Sequence, residues 1–180
     1  DNSYKQYEAD VGTVWSPGAR TRLDTRWGYA WRRHNEVPAR DFEGAFGRMG
    51  VAWQASAKLR VDARITRDLA AVDDFDRIYT LSQARHFGLR YSLSAKVTLE
   101  AGHNRRRLQY RGDPNNVLTQ FFGVQAPRAD QLNDSRLTGT WSPDLHWQVQ
   151  LSHQYAQRSS SRAGLQFDAH STQLTTQYRW

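Results

Sequence analysis

The sequence predicts an all-β protein: an antiparallel up-and-down transmembrane β-barrel with about nine strands visible, complete in itself or part of a larger barrel. Three observations predict it. Apolar and polar residues alternate with period two over runs longer than the strands of soluble sheets. A hairpin-sized unit recurs along the chain, and large aromatics gather at one end of each run.

The first two strands are read at 3–15 and 19–33. In the stretch GTVWSPGARTRLDTRWGYAW, Val11, Thr13 and Trp15 fall on odd positions before a Ser-Pro-Gly turn, and Leu23, Thr25, Trp27, Tyr29 and Trp31 do so after it. Such alternation puts one set of side chains on each face of a strand. Strands at 42–54 and 58–68 follow; in the second, Leu59, Val61, Ala63 and Ile65 oppose Arg60, Asp62, Arg64 and Thr66. The next pair, 78–92 and 96–111, breaks the rule once, because the face carrying Phe87, Leu89 and Tyr91 also carries Gln83 and Arg85. The last three strands are read at 133–142, 145–157 and 165–180. Leu145, Trp147, Val149 and Leu151 oppose His146, Gln148, Gln150, Ser152 and Gln154, whereas Phe167 and Ala169 have the opposite parity to Leu174, Thr176, Tyr178 and Trp180. Each break calls for a β-bulge, or for the upper part of the strand to stand clear of a membrane.

Four segments line up: GTVWSPGARTRLD from Gly12, GVAWQASAKLRVDARITRD from Gly50, GLRYSLSAKVTLEAGHNRR from Gly88 and GTWSPDLHWQVQLSHQY from Gly139. Each reads Gly, one or two residues, Trp or Tyr, a short Ser/Pro/Ala turn and an alternating strand, so the repeating unit is a hairpin. Longer polar connections are expected at 34–41, 68–76, 112–131 and 158–164. Short turns at one end and long loops at the other are the asymmetry of outer-membrane barrels, and the strands reach the roughly 9–11 residues that cross a bilayer at a tilt.

Composition narrows the alternatives. The 180 residues suit one domain, 1–180, and 38% hydrophobic content is meagre for a packed core. Disorder does not fit either, since 12% of the chain is aromatic and regularly placed. Without cysteine there is no disulfide framework and no thiolate metal site. No apolar run is long enough for a spanning helix, a test that alternating strands escape. An odd strand number and the lack of a visible signal sequence lead to the expectation that the chain is the C-terminal part of a larger barrel, the alternative being 8 or 10 strands that close by themselves.

Trp15, Trp53, Tyr91, Trp141 and Trp180 sit at the short-turn ends of their strands, with Trp147 and Tyr178 just inside, as in an interfacial aromatic girdle. A second ring is expected at the long-loop end from Trp27, Tyr29, Trp31, Phe42, Tyr79, Tyr110, Tyr155 and Phe167. In a soluble barrel the apolar face fills the core instead, and periodicity alone does not choose between the two.

Function is expected on the water-facing side. Arginine supplies 22 of the 25 basic residues, and Arg22, Arg26, Arg48, Arg60, Arg64, Arg90, Arg106 and Arg136 fall on lumen parity. Guanidinium groups keep their charge and fork onto carboxylate, phosphate or sulfate, so such a wall favours anions. Glu8, Asp10, Asp24, Asp62, Glu100 and Asp134 share that parity, which makes ion-pair bracing of the wall the competing use. A net charge of +7 elsewhere suggests nucleic acid, but here the aromatics lie with the apolar set and form no basic stacking platform, so no nucleic-acid partner is expected. Arg105, Arg106, Arg107 and Arg111, near the upper end of one strand, are equally suited to meet lipopolysaccharide phosphates. No catalytic residue, metal ligand or cofactor is expected: Ser152 and His153 point to opposite faces, His146 stands among glutamines, and His34, His86, His103 and His170 show no metal spacing. The loop at 112–131 carries Val117, Leu118, Phe121, Phe122 and Val124, which either plug the lumen, form a contact patch or extend as a hairpin.

The chain ends QLTTQYRW, with Leu174, Thr176, Tyr178 and Trp180 alternating up to a final aromatic. This resembles the terminal strand of outer-membrane β-barrel proteins, whose last aromatic residue is part of the signal read by the barrel-assembly machinery; Phe is usual there and Trp a variant. With its Trp-turn-Lys/Arg hairpins, the chain resembles the porin-like family of exopolysaccharide export loci, of the EpsL type, whose members are about twice this long. The resemblance implies residence in a bacterial outer membrane among lipid and lipopolysaccharide, assembly by that machinery, and polysaccharide as the solute. A pore for a hydrophilic, anionic solute is therefore the leading expectation. A non-conducting structural or adhesive barrel and an outer-membrane enzyme are the other readings, and a homo-oligomer is left open.

Overall fold

A computed structural model describes residues 3–35, 41–74, 77–111 and 128–180, with backbone alone at 70–74 and 77–78. Nine strands form one sheet in chain order: β1 (Tyr4–Gly18), β2 (Thr21–His34), β3 (Phe42–Gln54), β4 (Leu59–Asp74), β5 (Arg77–Ser92), β6 (Val97–Arg111), β7 (Ala129–Trp141), β8 (Trp147–Ser160) and β9 (Phe167–Tyr178). Every neighbouring pair is antiparallel, so the all-β up-and-down class is the observed one. Among the described residues β1 and β9 each pair with one neighbour, and they run in the same direction.

The short turns explain the sequence repeat. Ser56 Oγ accepts the N–H groups of Lys58 and Leu59, and Ser94 Oγ accepts those of Lys96 and Val97. Asp144 Oδ1 does the same for His146 and Trp147 at 2.8 and 2.9 Å. A short polar side chain folding back on the backbone is what favours Ser and Asp in turns. These donors, Trp147 foremost and then His146, hold the Asp144 carboxyl below its ordinary range.

Several expected boundaries are corrected. Ser16, Pro17 and Gly18 lie inside β1 and the turn is at 19–20. The β1–β2 ladder slips by one residue between Trp15 and Gly18, a bulge beside a proline that has no N–H to give. Most of the 68–76 connection is strand, with Leu69 opposite Leu81. β7 begins at Ala129, and β8 runs on to Ser160, which leaves 161–166 between β8 and β9. The loop residues Val117, Leu118, Phe121, Phe122 and Val124 lie outside the described residues.

No bulge repairs the two parity breaks. β5 pairs with β6 from Tyr79 to Ser92 without a slip, and β9 pairs with β8 from Phe167 to Tyr178 without a slip. A continuous ladder preserves parity, so Gln83 and Arg85 stay on the face of Phe87, Leu89 and Tyr91.

Burial separates the two faces. Along one ladder row Trp15, Leu23, Val51, Ala63 and Phe87 share a face; along another Trp53, Val61, Leu89, Ala101 and Leu137 share the same one. This apolar face is the exposed one: Val11, Trp53, Leu137, Leu151 and Leu174 are 67, 49, 59, 54 and 68% exposed. The buried side chains Ala30, Arg32, Phe42, Thr80, Asp130 and Thr138 belong to the polar face, and Leu81 is the exception among the described residues. A soluble sheet shows the reverse, with its large apolar side chains enclosed and its polar ones exposed.

The exception lies in the upper part of the β4–β5 hairpin, where Leu81 faces Leu69. The β3–β4 ladder ends at Gly47 and Arg67; above it the β4–β5 hairpin leans over β3. Tyr79 stacks on Phe42 at 5.0 Å, and the Arg32 guanidinium lies 3.8 Å from the Tyr4 ring centroid and 5.0 Å from that of Phe42.

Candidate functional site

All eight arginines expected in a lumen stand on the polar face: Arg22 and Arg26 on β2, Arg48 on β3, Arg60 and Arg64 on β4, Arg90 on β5, Arg106 on β6 and Arg136 on β7. Their surroundings divide them. Arg26 grips Asp10 with two hydrogen bonds of 2.9 and 2.8 Å. Arg48 lies 3.6 Å from Asp24 and Arg90 3.3 Å from Glu100. Arg136 donates to Gln154 at 2.6 Å, and Gln154 donates to Asp134. Among the described residues Arg22, Arg60, Arg64 and Arg106 have no carboxylate partner.

Three of the eight, Arg60, Arg90 and Arg136, border one depression. Arg60 faces Arg90 across the β4–β5 ladder, and Arg90 faces Glu100 across β5–β6. Arg64 faces His86, whose Nε2 is 3.1 Å from an Asp62 carboxylate oxygen. Gly88 and Gly102, opposite each other, form the floor. A Cβ on Gly88 would come within 2.7 Å of Asp62 Oδ1, so only glycine lets that carboxylate lie across the strand. The result is a hydrophilic depression of about 350 Å³ lined by Arg60, Asp62, His86, Arg90, Glu100 and Arg136. Arg60 is exposed there with its fork unengaged, an arrangement suited to a carboxylate, phosphate or sulfate.

Sequence reasoning missed a second polar cluster. Asp130 is 1% exposed and accepts bonds from Arg128 (3.0 and 2.6 Å), Arg158 (2.6 Å) and Ser160 (2.6 Å). Arg128 also lies 4.5 Å from the Tyr110 ring centroid. Parity places Asp130 and Arg158 on one face, but only the register brings them to the same level. The search for Ser–His pairs within one strand also missed His103, whose Nδ1 is 2.8 Å from Ser135 Oγ across β6–β7. The apolar-facing positions of β5 to β8 hold no carboxylate to orient that histidine. No metal-binding group occurs among the described residues.

The short-turn girdle residues Trp15, Trp53, Tyr91, Trp141, Trp147 and Tyr178 all stand on the apolar face, with Trp180 beyond β9 and fully exposed. The N–H groups of Gln54, Ser92, Ser142 and Arg179, each following a girdle aromatic, donate to Arg20, Lys58, Lys96 and His146 carbonyls at 2.7 to 2.8 Å. These bonds tie each aromatic to the neighbouring turn. The expected second ring is corrected in part: Trp27, Tyr29, Trp31 and Tyr155 share the apolar face, but Phe42, Tyr110 and Phe167 are on the polar face, and Tyr79 packs on Phe42.

No family model matches the chain, and no curated protein matches it. Among solved structures it is similar to the copper transporter OprC, at 14% identity and a TM-score of 0.46 over 96% of this chain and 33% of that one, so the chain spans about a third of the length of that structure.

Proposed function

We propose that the chain forms the wall of an outer-membrane β-barrel that passes a hydrophilic solute. One observation carries the reading: each of the nine strands presents an exposed large apolar side chain on one face, while the buried side chains among the described residues, Leu81 apart, lie on the opposite face with the arginines, carboxylates and glutamines. Lipid is the surrounding that rewards such an inversion. Lipid also tolerates no unpaired strand edge, so β1 and β9 are paired in the membrane.

Arg22, Arg60, Arg64 and Arg106, free of carboxylate partners among the described residues, support preference for an anionic solute, since unneutralised guanidinium groups along a pore act as an anion filter. Polysaccharide as that solute rests on the resemblance of the hairpins and terminal strand to the exopolysaccharide-export family. The ion pairs Arg26–Asp10, Arg48–Asp24 and Arg90–Glu100 favour a second reading, a braced wall that does not conduct.

Single-channel recording of the refolded chain in a planar bilayer tests both. Discrete steps with an anion-selective reversal potential, moved toward cation selectivity in Arg60→Gln/Arg64→Gln, are expected. Silence from protein shown to be inserted would favour the braced, non-conducting wall.

A further inference from the structure

Part of the surplus of positive charge lies away from the face that would line a pore. On the polar face Glu8, Asp10, Asp24, Asp62, Asp68, Glu100, Asp130 and Asp134 stand among the arginines. Among the described side chains the apolar face of β4 to β7 carries no carboxylate, yet Arg67, Arg85, Arg105 and Arg107 all point from it. The ladder assembles them from three strands: Ile65, Arg85, Arg105 and Asn133 share one row, and Arg67, Gln83, Arg107 and Gln131 share the next. All four arginines are exposed. Together they border a depression of about 420 Å³ whose other edge is Trp27, lying over Gly47.

Their engagement is slight. Arg105 donates to Gln131 at 2.7 Å and Arg67 to the Ala45 carbonyl at 3.0 Å, both neutral acceptors, and among the described residues none of the four meets a carboxylate. A guanidinium carries five N–H donors, so most remain unengaged. Arg85 stands only six residues above Tyr91 of the short-turn girdle, roughly 16 Å at 3.3 Å per residue on a tilted strand. The outward apolar band of such barrels is roughly 25 Å tall. These cations therefore sit at a depth where an unpaired arginine is unfavourable, and a lipid-borne anion is the partner that geometry admits.

The geometry points to a binding site for a lipid headgroup bearing more than one phosphate, the lipid A of lipopolysaccharide, on the outward face of β4 to β7. The inference rests on the reading that this face meets lipid. A headgroup with more than one phosphate fits better than a single phosphodiester because the four arginines spread over two ladder rows and three strands, about 10 Å across at 4.8 Å between strands. The Arg–phosphate fork is bidentate and charge-assisted, while Trp27 and Ile65 offer the apolar rim that acyl chains require.

The test is native mass spectrometry of the refolded chain extracted from vesicles containing bisphosphorylated lipid A, its phosphate-free form or phosphatidylglycerol. Retention of bisphosphorylated lipid A at least tenfold above the other two is expected. Arg85→Gln/Arg105→Gln/Arg107→Gln should abolish that excess, the corresponding lysine variant should recover part of it, and Arg106→Gln, pointing to the opposite face from the same strand, should leave it intact. Equal retention of the phosphate-free form, equal retention of phosphatidylglycerol, or no loss in the triple glutamine variant would overturn the assignment. Insertion is scored separately by the heat-dependent gel shift of the folded barrel, so a chain that inserts without retaining lipid A sinks this site and leaves the membrane reading standing.

Discussion

Trp15 and Trp53 contact β2 from opposite sides, at Leu23 and Thr21, two ladder positions apart. The same step recurs along the sheet: Trp53 faces Val61 while Tyr91 faces Leu59, and Tyr91 faces Leu99 while Trp141 faces Val97. The aromatic row therefore crosses the hydrogen-bond rows by about one residue per strand. With roughly 3.3 Å per residue and 4.8 Å between strands, the strands lie about 35° from the perpendicular to that row, at the edge of the ~35–45° tilt of closed transmembrane barrels. A row of aromatics can lie level across tilted strands only with a stagger of this kind.

Leu137, near the middle of the apolar face, distinguishes lipid from water as the surrounding. Leu137→Arg is expected to lower stability in a bilayer by about 2–4 kcal/mol, the cost of a lipid-facing cation near the midplane, measured by denaturant titration in vesicles. The same change at an exposed position of a soluble sheet would stay within about 0.5 kcal/mol.

The two serine turns make a second prediction. Ser56→Ala and Ser94→Ala each remove the acceptor for two backbone N–H groups. Each should cost about 1 kcal/mol, read in the same titration.

Acid should find the third turn. The folded Asp144 carboxyl is held below its ordinary value of 3.8, so near that pH the unfolded chain binds more protons. The stabilisation is present above the unfolded value and is lost as pH falls through the lower folded one. Asp144→Ser, which copies the other two turns, should flatten the fall of the unfolding midpoint between about pH 4 and pH 2 relative to the parent; identical slopes would contradict the assignment.

Gly28 is where the polar face has no room. A Cβ there would lie 2.4 Å from Phe46 Cζ and 2.6 Å from the Ala9 carbonyl, whereas at Gly12 the nearest atom is 3.5 Å away. Gly28→Ala should destabilise by about 1–3 kcal/mol as overpacking does, and Gly12→Ala should be tolerated, by comparison of refolding yield and unfolding midpoint.

Asp130 neutralises two arginines at once. Asp130→Asn keeps the shape and removes the charge, leaving Arg128 and Arg158 facing each other, their side chains 11 and 24% exposed. A loss of about 3 kcal/mol follows from breaking a largely buried ion cluster. Limited proteolysis near the start of β7 is the check, with faster cleavage expected in the variant.

The nine strands, their order of appearance and the two faces of most of them were legible in the chain, because period-two alternation is a property of the covalent backbone. Leu59, Val61, Ala63 and Ile65 oppose Arg60, Asp62, Arg64 and Thr66 wherever that strand is put. Three of the short turns were legible for the same reason, since Ser56, Ser94 and Asp144 fold back on their own neighbours, whereas the first lies at 19–20 and not at the expected Ser-Pro-Gly. What the chain left open was everything that depends on register and curvature. Whether Arg85 faced inward across a bulge or outward beside Phe87 was settled by an unbroken β5–β6 ladder. Asp130 and Arg158, 28 residues apart, meet only because β7 and β8 pair at Leu132 and Arg158. Arg67, Arg85, Arg105 and Arg107 come from three strands and become neighbours only in the sheet. Which face stands exposed was a tertiary decision too, since parity sorts side chains into two sets and only the packing of the sheet says which set is enclosed.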